Sequence, residues 1–178
     1  MNRPPLWFER KFDFTFPVEQ YPNLCVRLRG TPARLEEIVR GVDRDVLVRK
    51  PPAEREKWSA QEHAGHLLDL EPLWMARVKD YLRHGLTEAS QLTVADLSNQ
   101  KTFEAQHNQH PIDEILAEFR SARSQLVSTV EQIDPAIFAR SIPHPRLKTP
   151  MRLVDHLYFV AEHDDHHLAH FWERITAS

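Results

Sequence analysis

One segment, Phe159–Trp172, constrains the fold more than any other part of the chain. Its apolar residues follow a helical period, and His163, His166, His167 and His170 lie within eight positions. At about 100° per residue, three of these rings project from one helix face, and His166 lies about 60° to the side. Histidines four residues apart on a helix can reach one metal ion, as His163 and His167 do.

Buried histidines need partners for their ring nitrogens, and protonated neighbouring rings would repel one another. A divalent cation removes both difficulties because it binds neutral imidazole. The pattern therefore favours a metal site over a solvent-filled polar pocket or a surface histidine face. A further ligand must come from elsewhere, and the best candidates are His63 and His66 on an upstream helix.

Periodicity predicts four amphipathic helices, and hence an all-α four-helix bundle. The predicted helix starts are Thr31–Pro32, the Ser59–Glu62 capping box, Pro111 and Thr149–Pro150. The predicted ends are near Gly41–Asp43, His84, Ile133 and Ile175. We expect a single domain over 1–178, a loop over 85–110 with a short amphipathic piece at 92–103, and one helical turn from Asp134 to Phe138.

The first 30 residues are the least regular and are rich in aromatic side chains. Phe12, Phe14 and Phe16 alternate with polar residues, which is compatible with a short strand. An extended segment whose aromatic rings cover one end of the helical core is the preferred interpretation, since no partner strand is visible in the sequence.

Composition excludes several classes of protein. The 178 residues carry a net charge of −3 with interspersed signs, so neither nucleic acid nor a membrane is expected as a partner. No apolar run is long enough to cross a bilayer, no secretory segment is visible, and Cys25 is a lone cysteine. We therefore expect a cytoplasmic protein. With only 4 glycines, Gly-rich phosphate loops are disfavoured.

Two segments resemble the DinB/YfiT-like superfamily. Trp58–Glu71 is similar to its second-helix signature, in which a tryptophan–serine start precedes a histidine ligand, and His163–His167 is similar to its last-helix pattern. The resemblance implies the helical-bundle fold and a metal triad of His66, His163 and His167, whereas spacing alone leaves His63 as a rival. His170 stands at a position where the family often has glutamine. Two roles are open for His170: a fourth metal ligand or an outer hydrogen-bond donor.

The resemblance also implies a function. We expect a divalent-metal enzyme (Zn, Ni, Fe or Mn) of hydrolase or thiol-dependent S-transferase type, acting on a small molecule and using a low-molecular-weight thiol in the second case. Glu62 and Asp69 are candidate catalytic groups, although a capping box and a solvated surface also explain them. The open alternative is a non-catalytic, stress-related binding or scaffold protein with a structural metal or a vacant site. Homodimerisation through Trp172 or the aromatic N-terminus is also expected.

Overall fold

A computed structural model describes residues 6–52, 58–87 and 90–176. Residues 1–5 of the predicted irregular segment and residues 88–89 of the predicted loop lie outside these ranges. The described helices and strands are α1 Tyr21–Val39, α2 Arg44–Leu47, α3 Ala60–Leu82, α4 Gln100–Glu104, α5 Ile112–Glu131, β1 Ser141–Pro143, β2 Pro150–Arg152 and α6 Leu153–Thr176.

The four long helices form the predicted bundle. Helices α1 and α3 each pack against both α5 and α6. Consecutive long helices α1 and α3 are therefore diagonal in the bundle, whereas α3 and α6 are neighbours. This topology brings both histidine-bearing helices together along one shared face.

The start of the first helix was predicted wrongly. It begins at Tyr21 rather than Thr31, so residues 21–30 are helical and Pro32 lies inside α1. Proline cannot donate to the carbonyl four residues earlier. The Arg123 guanidinium of α5 supplies that hydrogen bond instead, with Nη1 donating to the Leu28 carbonyl at 3.2 Å.

The start of the last helix was also predicted wrongly. Pro150 belongs to β2, which pairs antiparallel with β1, and α6 begins only at Leu153. Ile142 and Met151 face each other in this ladder, and both are buried. Burying this pair stabilises an extended chain where the local threonine–proline signal favours a helix.

Other predictions are confirmed. The Ser59–Glu62 capping box is present, with Ser59 Oγ accepting from the Glu62 amide. A 3₁₀ turn covers Pro135–Ala139, whereas the amphipathic piece predicted at 92–103 is helical only in the short α4, Gln100–Glu104. The N-terminal aromatic segment forms no strand among the described residues, and Phe12, Phe14 and Phe16 pack against the core.

One buried ion network joins all four long helices. Arg123 of α5 bonds to Glu71 of α3 (2.6 Å), to Asp164 of α6 (2.5 Å) and to the Leu28 carbonyl of α1. Thr31 of α1 donates to the same Asp164 carboxylate at 2.7 Å. Asp164 directly follows His163, so this network holds α6 in register beside the histidine cluster.

Within the described ranges, no helix is both long and apolar enough to span a bilayer.

Candidate metal centre

Four consecutive histidines of α6 are buried, and the rings of His163, His167 and His170 pack against His63 or His66 near the start of α3. His163, His166, His167 and His170 are each at most 6% exposed. On α3 the capping box fixes the first turn, which places His63 and His66 opposite them. The rings of His163, His167 and His170 therefore lie on the side of α6 that faces α3, as their helical spacing predicted.

His66, His163 and His167 converge on one point. Each offers a ring nitrogen, and these three atoms lie within 4.8 Å of one another. His163 Nε2 and His167 Nε2 are 3.2 Å apart. Two nitrogens bound at about 2.1 Å in a tetrahedral arrangement lie about 3.4 Å apart, so the spacing fits a shared ion.

Neighbouring side chains orient two of these rings through their other nitrogens. Thr102 of α4 places its hydroxyl 3.0 Å from His66 Nδ1. His63 Nδ1 lies 3.0 Å from His167 Nδ1. Metal-binding histidines in proteins use their second ring nitrogen in this way. His63 therefore lies beside the candidate ligand His167. Its spacing in the sequence allowed it to be a metal ligand itself, but among the described residues it is not part of the converging group.

The rings of His163 and His167 are held in the neutral form that binds metal. Burial lowers the pKa of His163 well below its ordinary value, and the neighbouring His66 lowers it further. Burial and the adjacent His163 and His66 rings lower the pKa of His167 in the same direction. Nδ1 of His163 makes no hydrogen bond within the described part of the chain. A buried nitrogen without a hydrogen-bond partner, on a ring that burial keeps neutral, fits a divalent cation.

His170 lies to one side of the three converging rings. Among the described residues, the group within coordinating distance comprises His66, His163 and His167 without it. The His170 ring stacks on the His63 ring at 5.3 Å, and its Nδ1 is 3.5 Å from Glu173. Of the two roles considered for His170, this placement favours an outer position.

The candidate catalytic acids are engaged elsewhere. Glu62 accepts from the Ser59 amide at 2.8 Å and pairs with Lys50. Asp69 contacts His107 Nε2 at 2.8 Å. Burial acts to raise the pKa of Asp69, but the hydrogen bonds with His107 and Thr102 and the charges of His107 and Lys101 together outweigh it, so the pKa is lowered. Neither carboxylate lines the histidine cavity, and a catalytic role for either stays a prediction.

The contact between Asp69 and His107 explains why residue 65 is a glycine. A Cβ on Gly65 would lie 2.1 Å from His107 Cγ, so only glycine lets this ring approach α3. The sequence placed His107 in a loop and indicated no role for it beyond an ordinary hydrogen bond. Nothing in its spacing signals the contact, because it depends on how the chain after α4 returns to α3.

The two aspartates beside the ligands serve the bundle rather than the site. Asp164 is buried and accepts from Arg123 and Thr31. Asp165 pairs with Arg34 at 2.6 Å and with Arg27. Both carboxylates stabilise the contact between α1 and α6.

The three converging histidines line a cavity of about 810 Å³. Most of its wall is apolar, and it includes the rings of Trp7, Trp58, Trp74 and Phe159. The Trp58 ring packs against His66 at 4.5 Å, and the Trp7 ring meets His163 edge-on at 4.9 Å. A small, largely apolar molecule in this cavity would reach the histidine nitrogens.

Comparison with known proteins agrees with this architecture. The family model of the DinB superfamily matches residues 27–171. Among solved structures, the chain is similar to YfiT from Bacillus subtilis, with a TM-score of 0.72 and 20% identity, over 93% of this chain and 91% of that one. YfiT is described as a probable metal-dependent hydrolase with an unusual four-helix bundle topology. No curated protein sequence matches. The family match spans most of the chain, and this protein therefore belongs to the DinB superfamily.

Proposed function

We propose that this protein is a divalent-metal-dependent enzyme in which His66, His163 and His167 hold the ion. The observation that carries the proposal is that three buried imidazoles converge at the wall of a cavity large enough for a small molecule. Of the four candidate ions, imidazole ligands suit Zn, Ni and Fe, whereas Mn prefers oxygen ligands. A bound divalent ion would supply Lewis-acid activation of water, a thiol or a carbonyl group.

The chain's own residues contribute position and exclusion of water. Thr102 and His63 orient the His66 and His167 rings. The indole rings of Trp7 and Trp58 cover the histidines on the cavity side and limit access of bulk water. An apolar wall favours a substrate whose body is apolar.

Hydrolysis and thiol-dependent transfer would use the same site and differ in the nucleophile. The protein's own thiol is unsuited to the second reaction, because Cys25 is buried on α1 and burial raises its pKa to about 11. A transferase would therefore require a low-molecular-weight thiol from solution. Small-molecule substrates are proposed in both cases.

The alternative is a structural ion in a non-catalytic scaffold. Structural sites are usually closed by a fourth protein ligand, whereas catalytic sites keep an exchangeable position. The outer placement of His170 and the cavity beside the three rings support the enzyme over the scaffold.

The test loads metal-free protein with each of the four ions and measures two activities. One screen follows hydrolysis of p-nitrophenyl esters and anilides, and the other follows consumption of 1-chloro-2,4-dinitrobenzene in the presence of cysteine or glutathione. We expect metal-dependent turnover in one screen and its loss in His163→Ala. An exposed-histidine variant, His84→Ala, is the matched control. Turnover that needs no metal, or no turnover in either screen, would contradict the proposal.

A further inference from the structure

A second polar cluster lines the same cavity, away from the converging histidines. It comprises Arg77 of α3, with His144 and Arg146 from the segment between β1 and β2. Arg77 is 2% exposed, and Arg146 is half-buried. Arg77 Nε donates to the Thr93 carbonyl at 2.9 Å, and Nη1 lies 3.2 Å from His144 Nε2.

The tautomer of His144 follows from its backbone contacts. The amides of Arg146 and Leu147 both donate to His144 Nδ1, at 3.2 and 3.1 Å. A nitrogen that accepts carries no proton, so the proton of the neutral ring is on Nε2. Burial, together with the charges of Arg77 and Arg146, lowers the pKa of His144 to about 3, which keeps the ring neutral.

Two N–H groups consequently face each other. His144 Nε2–H and Arg77 Nη1–H are both donors, and neither can accept from the other. An oxygen acceptor bound next to both groups would satisfy them together. Nη2 of Arg146 is also buried and makes no hydrogen bond within the described residues, so it is a third donor without an acceptor.

The two guanidinium groups also lack a counter-charge. Within 6–52, 58–87 and 90–176, no carboxylate forms an ion pair with Arg77 or Arg146. Asp80, the acid that acts electrostatically on Arg77, is already engaged by Arg83 and by the Thr93 amide and hydroxyl. A buried positive charge without a partner is costly, and burial lowers the pKa of Arg77 to about 10.

The cavity has two carboxylates at its exposed part, Glu9 and Asp96. Asp96 accepts hydrogen bonds from Ser98 and from the Gln100 amide, which hold it in its own loop. These groups favour cations at the rim. The buried part of the cavity keeps its positive charge and its donors.

We propose that Arg77, His144 and Arg146 bind the carboxylate of a small organic acid whose apolar body extends toward His66, His163 and His167. Three donor atoms suit the two oxygens of a carboxylate, whereas a phosphate offers more acceptor sites than they can fill. The inference rests on the proposed function for the reaction at the histidines. The carboxylate site itself is independent of any metal.

The spacing sets the size of the acid. The Arg77 Cζ lies 5.5 Å from the Trp74 ring centroid, which lies 5.4 Å from the His163 ring centroid. The neighbouring Phe159 ring contacts His144 at 5.2 Å and precedes His163 by one helical turn. An acid with one aromatic ring or a short alkyl chain spans these two steps.

Binding to metal-free protein tests the site. The probes are benzoate, phenylacetate, 3-phenylpropionate, 4-phenylbutyrate and indole-3-acetate, each paired with its neutral amide and with the corresponding phosphonate where one exists. Calorimetry and the fluorescence of the cavity tryptophans report affinity. We expect at least one acid to bind about 10- to 100-fold more tightly than its amide, the range for charge-assisted hydrogen bonds.

Variants locate the effect. Arg146→Gln and Arg77→Gln should lower the affinity for the acid to that for its amide and leave the affinity for the amide unchanged. Replacing the exposed Arg40 with glutamine should change neither affinity. Arg146 is half-exposed, so its variant decides the question if Arg77→Gln fails to fold. Equal binding of every acid and amide would overturn the proposal, as would acid binding that is unaffected by Arg146→Gln or a preference for the phosphonate. Acid binding that needs added metal would also overturn it, while leaving the proposed function intact.

Discussion

Replacing Arg123 with methionine is the sharpest test of how this bundle is held together. The substitution keeps most of the side chain's volume but removes five hydrogen bonds, two to Glu71, two to Asp164 and one to the Leu28 carbonyl. It leaves two buried carboxylates without a counter-charge. Breaking one partner of a buried ion network costs about 3–5 kcal/mol, a large share of the ~5–15 kcal/mol stability of a typical domain.

The loss should depend on pH in a defined direction. Burial raises the pKa of Glu71 to about 7, against the opposing effect of Arg123. An acid whose folded pKa exceeds its unfolded value loses stability as pH rises from the unfolded value of 4.5 through about 7. Removing Arg123 raises that folded pKa further, so the deficit of the variant should be larger at pH 8 than at pH 5.5.

Urea unfolding of metal-free protein at both pH values measures this deficit against wild type. Arg120→Met is the matched control, because Arg120 lies three residues earlier on α5 and pairs with Glu36 at the exposed surface. Surface pairs contribute about 0–1 kcal/mol, so the control should lose little. A deficit in Arg123→Met below about 1 kcal/mol, or one equal at both pH values, would refute the reasoning.

Two further substitutions probe the surroundings of the candidate metal centre. Gly65→Ala forces a Cβ against the His107 ring and should destabilise the protein by about 1–3 kcal/mol in thermal melts. Gly30→Ala on α1 meets nothing within 4 Å and should be neutral or stabilising, so equal effects would contradict the packing argument. Thr102→Val removes the hydroxyl beside His66 Nδ1 and should weaken zinc affinity about 10-fold or more in competition with a chelating dye. Unchanged affinity would show that Thr102 does not orient His66.

Local signals predicted those parts of the fold that are stabilised locally. The capping box at Ser59 and the turn after Asp134 are satisfied by atoms a few residues away, and both are present. The Thr31–Pro32 signal failed because a side chain from α5, Arg123, takes the carbonyl that Pro32 leaves unbonded. No reading of residues near 32 could indicate that contact.

The candidate site likewise contains residues that the sequence predicted and residues that it did not. Helical spacing is enough to group His163 with His167, and resemblance selected His66 as the third member of the converging group. Thr102, His107 and the Arg77–His144 pair depend on how the segments after α3 and β1 fold back onto the bundle. These three contacts join residues 36, 38 and 67 positions apart in the sequence, and periodicity carries no information about them.

Metal content is the most direct measurement of the central claim. Protein purified without a histidine tag, loaded with zinc and freed of excess ion, is analysed by inductively coupled plasma mass spectrometry. The account predicts one ion per chain, loss of that ion in His66→Ala, His163→Ala and His167→Ala, and retention in His170→Ala. No stoichiometric uptake, or uptake that survives all three ligand substitutions, would contradict it.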